Sequence, residues 1–269
     1  MVFRQADQSE TEQILSFLYE DIGNCVYPYI DIKDYGFPNE TIDVWVEEES
    51  GTYISVLMRY LDSFQIYVRD NTPNDDRVND IVALMQEHQI KRIQGSTETI
   101  RQCAEHFGDV ADVYYGKVFE LLHHRPYKPD VVDIEEASIE DIPEIVDLIL
   151  SSPEIGKGYD RESTIKAFES RAKTGDGKSW IIRVNNEIAA HVCYSASCDK
   201  FVVGAFTVVA EKYQSYPYGM LIDSYFIEVV LPMLKKRGFS FITEKRRIRL
   251  FEMLGNPVIG EYGMLKMLH

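Results

Sequence analysis

The 269-residue chain is poor in cysteine: Cys25, Cys103, Cys193 and Cys198 are its four, with no C-x-x-C spacing and no matching histidine group. A disulfide framework and a structural zinc site both lack their signature, which fits a reducing cytoplasm and a protein that carries no metal. Long apolar runs are missing too. The longest, around Ile222 to Leu234, is interrupted by Glu228 and Pro232, and the opening MVFRQADQSE has no basic segment leading into an apolar stretch. No membrane span and no export signal are expected. Positive charge is the third shortage: 28 Lys and Arg stand against 44 Asp and Glu, a net charge of −16. That argues against nucleic acid and against an anionic membrane surface as partners, because both are bound through phosphate neutralisation. With 45% apolar residues the chain can nevertheless build real cores, and its length favours two domains over one.

The two halves resemble each other. VFRQADQSETEQILSFL near the start and DIEEASIEDIPEIVDLIL in the second half each lead from an extended segment into a helix. Asp7 and Ser138 stand at equivalent N-cap positions, followed three residues on by Glu10 and Asp141, the spacing of a capping box. GDVADVYYGKVFELL (108–122) matches GNPVIGEYGMLKML (255–268): a Gly closes a helix, and a Tyr-Gly pair follows in the last strand. Between these anchors, Thr52 to Met58 and Phe64 to Asp70 read as adjacent strands, as do Glu187 to Tyr194 and Phe201 to Val209, each pair preceding a long amphipathic helix. The second long helix shows Ile222, Phe226, Val229 and Met233 on one face, Lys235, Lys236 and Arg237 in its last turn and Gly238 as terminator. HHRPYKPD (123–130) reads as the linker, which sets the domains at 1–124 and 125–269.

The second copy is longer by roughly half a dozen residues between its second paired strand and its long helix. There EKYQSYPYG (211–219) replaces the short turn NTPND (71–75). A strand that turns directly into a helix exposes unpaired amides at the positive end of the helix dipole, which suits phosphate.

The order strand, two helices, three strands, loop, long helix, strand, helix, strand resembles the GNAT superfamily of acyl-CoA-dependent N-acetyltransferases, over nearly all of each half. The resemblance implies an α/β (α+β) chain of two tandem GNAT-like domains, each a mixed, mostly antiparallel central sheet flanked by helices. In that family the loop reads R/Q-x-x-G-x-G/A and holds the pyrophosphate of acetyl-CoA. Gln214-Ser-Tyr-Pro217-Tyr-Gly219 matches its first and last fixed positions and places Pro217 at the middle Gly. Proline has no N–H to donate, which leaves the amides of Ser215, Tyr216, Tyr218, Gly219 and Met220. By the same resemblance Thr207, Val208 and Val209 would splay open and face the thioester. The N-terminal copy, lacking the loop, would be a degenerate, substrate-shaping domain. Lys235 to Arg249 carries seven cationic residues against Glu244 alone and could retain a phosphorylated co-substrate.

Acetyl transfer to an amine needs a base, donors for the oxyanion and often an acid for the departing thiolate. The resemblance implies a Tyr acid in the last helix, but the matching position holds Phe251. Glu244 and Tyr262 are the remaining candidates, against an N-cap role for the first and a structural role for the second, whose repeat partner is Tyr115. A lone strand His191 reads as structural. The function implied is acetyl transfer from acetyl-CoA to a primary amine of a small molecule or peptide, with a cationic acceptor suiting the acidic chain. The alternative is an inactive GNAT-like module that binds acyl-CoA or a protein partner as a regulator. Aminoacyl transfer from charged tRNA is opposed by the charge. The oligomeric state is left open.

Overall fold

The computed structural model describes residues 2–128, 131–153, 155–156 and 159–268; Pro129 and Asp130, the end of the expected linker, lie outside them. The first half runs β1 (Arg4–Gln5), α1 (Thr11–Tyr19), α2 (Ile22–Tyr35), β2 (Ile42–Glu49), β3 (Thr52–Tyr60), β4 (Ser63–Val68), α3 (Asp75–Glu87), β5 (Arg92–Gly95), α4 (Thr97–Phe107) and β6 (Ala111–Glu120). The second runs β7 (Glu135–Glu136), α5 (Ile142–Ser151), α6 (Arg161–Thr174), β8 (Lys178–Val184), β9 (Glu187–Ser197), β10 (Phe201–Val209), α7 (Tyr218–Tyr225), a π turn (Phe226–Val230), α8 (Leu231–Leu234), β11 (Arg237–Ile242), α9 (Lys245–Met253) and β12 (Val258–Met267).

The duplication holds strand for strand. In the order β1-β2-β3-β4-β5 and again β7-β8-β9-β10-β11, the first three pairings are antiparallel and the fourth is parallel. Both expected capping boxes form: Asp7 with Glu10 and Ser138 with Asp141 satisfy amides at the start of α1 and α5. Gly108 and Gly255 take positive φ just past α4 and α9, as the repeat of helix stops requires.

The compact units differ from the contiguous halves by one strand. Unit 1 comprises Met1–Val118 with Val258–His269, and unit 2 comprises Phe119–Pro257. In unit 1, β12 pairs antiparallel with β5, from Gly263 opposite Gly95 to Lys266 opposite Arg92. In unit 2 the chain from Phe119 onward lies beside β11, where the Leu121 amide donates to the Gly238 carbonyl at 2.8 Å. Each unit thus takes its sixth strand from the other half of the sequence.

Helices cover both faces of the unit 2 sheet. Phe119, Trp180, Ile182, Val192, Val202, Ile222, Phe226 and Phe251 form one core, and Ile145, Ile149, Ile181, Ile188 and Val208 form the other. The period-2 alternation of Trp180, Ile181 and Ile182 between them is what a strand buried on both faces demands. Unit 1 packs Phe64, Ile81, Ile93, Ile100 and Leu265 in the same way under α3 and α4.

The long second-half helix departs from its expected face. Met233 is 75% exposed, whereas Ile227, Val230 and Leu231 join Ile222 and Phe226 in the core. Pro232 would clash with the carbonyl four residues back, and the π turn over Phe226–Val230 relieves it. A π turn adds a residue to its turn and rotates everything after it. The helix then stops at Lys235, which takes the left-handed conformation (φ 55°). Gly238 is not the terminator but a strand residue, held small because a Cβ there would meet Leu231 Cδ1 at 2.6 Å. Among the described residues, no helix is long and apolar enough to cross a membrane.

Candidate functional site

In unit 2, β10 and β11 run parallel only from Phe201 opposite Arg237 to Gly204 opposite Ser240. Beyond that, β10 follows β9 alone to Val209, and it does so through a bulge: Ala205 faces Cys193 and Val208 faces His191, with one residue too many on β10. A bulge bends its strand and re-aims side chains. Here Phe206 adopts φ 50°, and its carbonyl accepts from His191 Nδ1 at 2.8 Å while His191 Nε2 meets Ser179 Oγ at 3.0 Å. Burial lowers the His191 pKa to about 4, so this imidazole is a neutral brace for the bulge, with both nitrogens engaged.

The equivalent place in unit 1 is closed. β3 and β4 pair without a register shift from Ser55–Val68 to Tyr60–Ser63. Past the end of β5, Ser96 ties back onto β4, its amide donating to the Ile66 carbonyl at 3.0 Å and its hydroxyl accepting from the Val68 amide at 2.7 Å.

The helices that follow differ as sharply. Asn74 caps α3 by accepting from the Arg77 amide, and Asp75 and Asp76 fill its first turn; the dipole is already offset, and an added anion would meet a side-chain cap and two carboxylates. α7 starts after Pro217, has no side-chain cap and carries no acid in its first turn. Pro217 donates nothing, and its carbonyl accepts the first intrahelical bond, from Leu221 at 2.9 Å. The amides of Tyr218, Gly219 and Met220 precede that bond and have no carbonyl behind them in the helix. The Tyr216 amide, expected among the donors, is spent on the Tyr213 carbonyl at 3.0 Å, and that of Gln214 on Glu211 at 3.2 Å, because residues 211 to 216 wind into tight turns. Tyr216 and Tyr218 stack at 5.4 Å and 9°, with Tyr213 against both. Gly219 abuts Val209: a Cβ would stand 3.1 Å from Val209 Cγ2. Val208 is buried opposite His191. The loop, the first turn of α7 and the end of β10 are therefore contiguous.

Where β10 and β11 part, a polar network spans β10, α7 and α9. Thr207 Oγ1 donates to Asp223 Oδ1 at 2.7 Å, and Arg247 reaches both carboxylate oxygens at 3.1 and 3.0 Å and Thr207 Oγ1 at 3.2 Å. The basic segment is thus divided in use: Arg247 turns inward and Arg237 pairs with Glu120, while Lys235, Lys245, Arg246 and Arg249 stay exposed. Glu244 is the N-cap of α9 through its backbone, and its side chain makes no capping bond. Phe251 is buried against Phe119 at 5.6 Å between centroids. Tyr262 is buried in β12 and belongs to unit 1, as does its repeat partner Tyr115 in β6.

His124, Ser224 and Asp223 carry no motif in the sequence. His124 lies in the expected linker stretch, yet it is buried in unit 2. Asn256 fastens the segment before it, accepting from the Leu122 and His123 amides and donating to the His123 carbonyl. Ser224 and Asp223 sit four residues or fewer from Met220 on the inner face of α7, a spacing that the unbroken helical period around Ile222 could have revealed.

No protein-family model matches the chain, and no curated protein matches it in sequence. Solved structures match it over nearly its whole length. A tandem GNAT protein from the clavulanic acid biosynthesis pathway aligns with TM-score 0.58 at 15% identity, over 98% of this chain and 97% of that one. A GCN5-related N-acetyltransferase-like protein from Streptococcus suis gives 0.59 at 14%, over 97% and 100%, and a Drosophila protein gives 0.66 at 12%, over 99% and 98%. The chain has the tandem GNAT fold.

Proposed function

We propose that unit 2 binds acetyl-CoA and transfers its acetyl group to a primary amine of a small molecule or peptide. The observation that carries this reading is the contrast between two copies of one fold. Where unit 1 has a capped, acidic helix start and stitched strands, unit 2 has a bulged strand that leaves its neighbour and an uncapped, acid-free helix start beside it. Free amides at the positive end of a helix dipole favour a pyrophosphate. Those of Tyr218, Gly219 and Met220, with Ser215, would hold it. Thr207 to Val209 would lie along the pantetheine arm, and exposed Lys245, Arg246 and Arg249 would add long-range attraction. Bound there, acetyl-CoA would supply an activated acyl carbon, and the protein's part would be to position it and to manage a proton.

A regulatory, non-catalytic reading draws on Phe251, which has no hydroxyl where the GNAT resemblance implies one. Calorimetric titration with acetyl-CoA followed by an amine panel monitored for free thiol tests both. Binding with thiol release supports the transferase, binding without it a regulator that senses acyl-CoA, and no binding defeats the transferase and leaves a module for a protein partner.

A further inference from the structure

Among the described residues of unit 2, the buried nitrogens without a hydrogen-bond partner include His124 Nε2 and Arg247 Nε, and both of these side chains pack on Phe251. The His124 ring stands edge-on to it at 6.4 Å, and the Arg247 guanidinium lies 5.6 Å from its centroid. An unpaired buried polar atom costs stability, and one in a ring otherwise held in place asks for a use. The ring is held through its other nitrogen: His124 Nδ1 is 2.6 Å from Ser224 Oγ, and that hydroxyl donates to the Met220 carbonyl at 2.8 Å. Serine has one proton to give. With it committed to Met220, the imidazole must donate from Nδ1, so Nε2 carries a lone pair. The His124 amide is itself anchored on Glu228 Oε1 at 3.1 Å.

We propose that His124 is the proton-transfer residue of unit 2, serving beside Phe251 the role that the missing phenol leaves open. This role rests on the acetyltransferase reading. As the C–N bond forms, His124 Nε2 takes the proton that the amine nitrogen must lose. As the C–S bond breaks, the same Nε2 returns that proton to the departing sulfur, leaving an amide and a free thiol. Ser224 is a positioning residue that fixes the tautomer, much as a carbonyl or carboxylate fixes other catalytic imidazoles. Burial lowers the His124 pKa, opposed by Asp223 on α7 and Glu228 in the π turn and by a backbone bond at Arg125, and reinforced by Arg247 on α9. The ring is therefore neutral at pH 7, and once protonated it readily yields its proton to a thiolate.

Long-range 15N–1H spectra of the imidazole should show Nδ1 protonated and Nε2 bare between pH 6.5 and 8, with or without CoA; a proton on Nε2 would overturn the proposal regardless of turnover. His124→Gln should lower kcat by about 10²- to 10⁴-fold with unchanged CoA affinity and a native circular-dichroism spectrum, and should abolish an acidic limb of kcat/KM lying below the ordinary histidine value of about 6.5. Ser224→Ala, which keeps the imidazole, should cost less and move that limb. Wild-type turnover that His124→Gln retains, limb included, sinks the role of His124 alone. Wild-type protein that binds CoA but releases no thiol with any amine sinks the transferase reading and this one with it.

Discussion

Arg77 and Glu47 show what a single buried pair commits a fold to. The guanidinium reaches Glu47 Oε2 at 2.7 Å and the Thr72 carbonyl at 2.8 Å, Ser55 donates to the same carboxylate at 2.7 Å, and both ions are almost wholly buried in unit 1. Removing one partner strands a charge, whereas replacing both with apolar groups can be neutral. Arg77→Met is expected to lose about 3–5 kcal/mol in urea unfolding, and Glu47→Leu with Arg77→Met to recover most of it. A double variant no more stable than the single one would contradict this. His191 makes a pH prediction. Its pKa falls from 6.5 to about 4 through burial, so below pH 6.5 the unfolded chain binds the proton that the folded one refuses. Stability from this group is complete above pH 6.5, declines as pH falls, and is spent by pH 4, a loss of up to about 3 kcal/mol. Urea midpoints between pH 7 and 4 should fall less steeply in His191→Gln. The Glu10 carboxyl, held down to about 2 by Arg4, acts in a separate, lower window.

At the scale of elements, the bulged end of β10 and the start of α7 behave as one piece, because Val209 and Gly219 touch. Gly219→Val should weaken CoA binding at least tenfold, since its branched side chain must either move Val209 or tilt the amides. Pro217→Gly should tighten binding by about 0.5 to 1.5 kcal/mol, the net worth of one hydrogen bond, less the flexibility that Gly adds. Calorimetry on both variants decides; unchanged affinity in both would place the co-substrate elsewhere. Much of this element layer was legible in residues alone. The capping boxes, the helix-closing glycines and the inserted loop are local chemistry, fixed within a few positions. The spent Tyr216 amide was not, because a tight turn inside a loop leaves no periodic trace. Nor was the π turn. Pro232 announced an interruption, but whether a helix breaks, kinks or bulges there depends on whether Ile227, Val230 and Leu231 can reach a core. Arg247 and His124 were hidden for a related reason: a charge in a basic run and a histidine in a proline-rich stretch look solvated until the fold turns them inward.

For the whole molecule, the duplication was readable and the ownership of the last strands was not. Tyr115-Gly116 and Tyr262-Gly263 mark two strands, yet alternation along a strand says which face is buried and never which edge it joins. Because β12 completes unit 1 and Phe119 onward completes unit 2, cutting the chain between 124 and 125 deprives each piece of a strand. Fragment 1–124 keeps an open β5 edge, and fragment 125–269 lacks the Leu121 partner of Gly238. Each expressed alone is expected to aggregate, and co-expression to restore solubility and, in the transferase reading, CoA binding. A soluble, CoA-binding 125–269 would count against the exchange. An open edge of this kind is an aggregation hazard in any sheet.

The same exchange sets an order for the nascent chain. Domains generally fold from the amino terminus as they leave the ribosome, yet here the unit begun first closes last. Residues 119–257 can assemble all of unit 2 while unit 1 waits for Val258–Met267 to emerge. At 5–20 residues per second that interval is roughly 7 to 30 s, during which β5 has no partner on its far side. Slowing translation past Phe119, with synonymous rare codons, would lengthen the vulnerable stage of a protein whose finished sequence is unchanged.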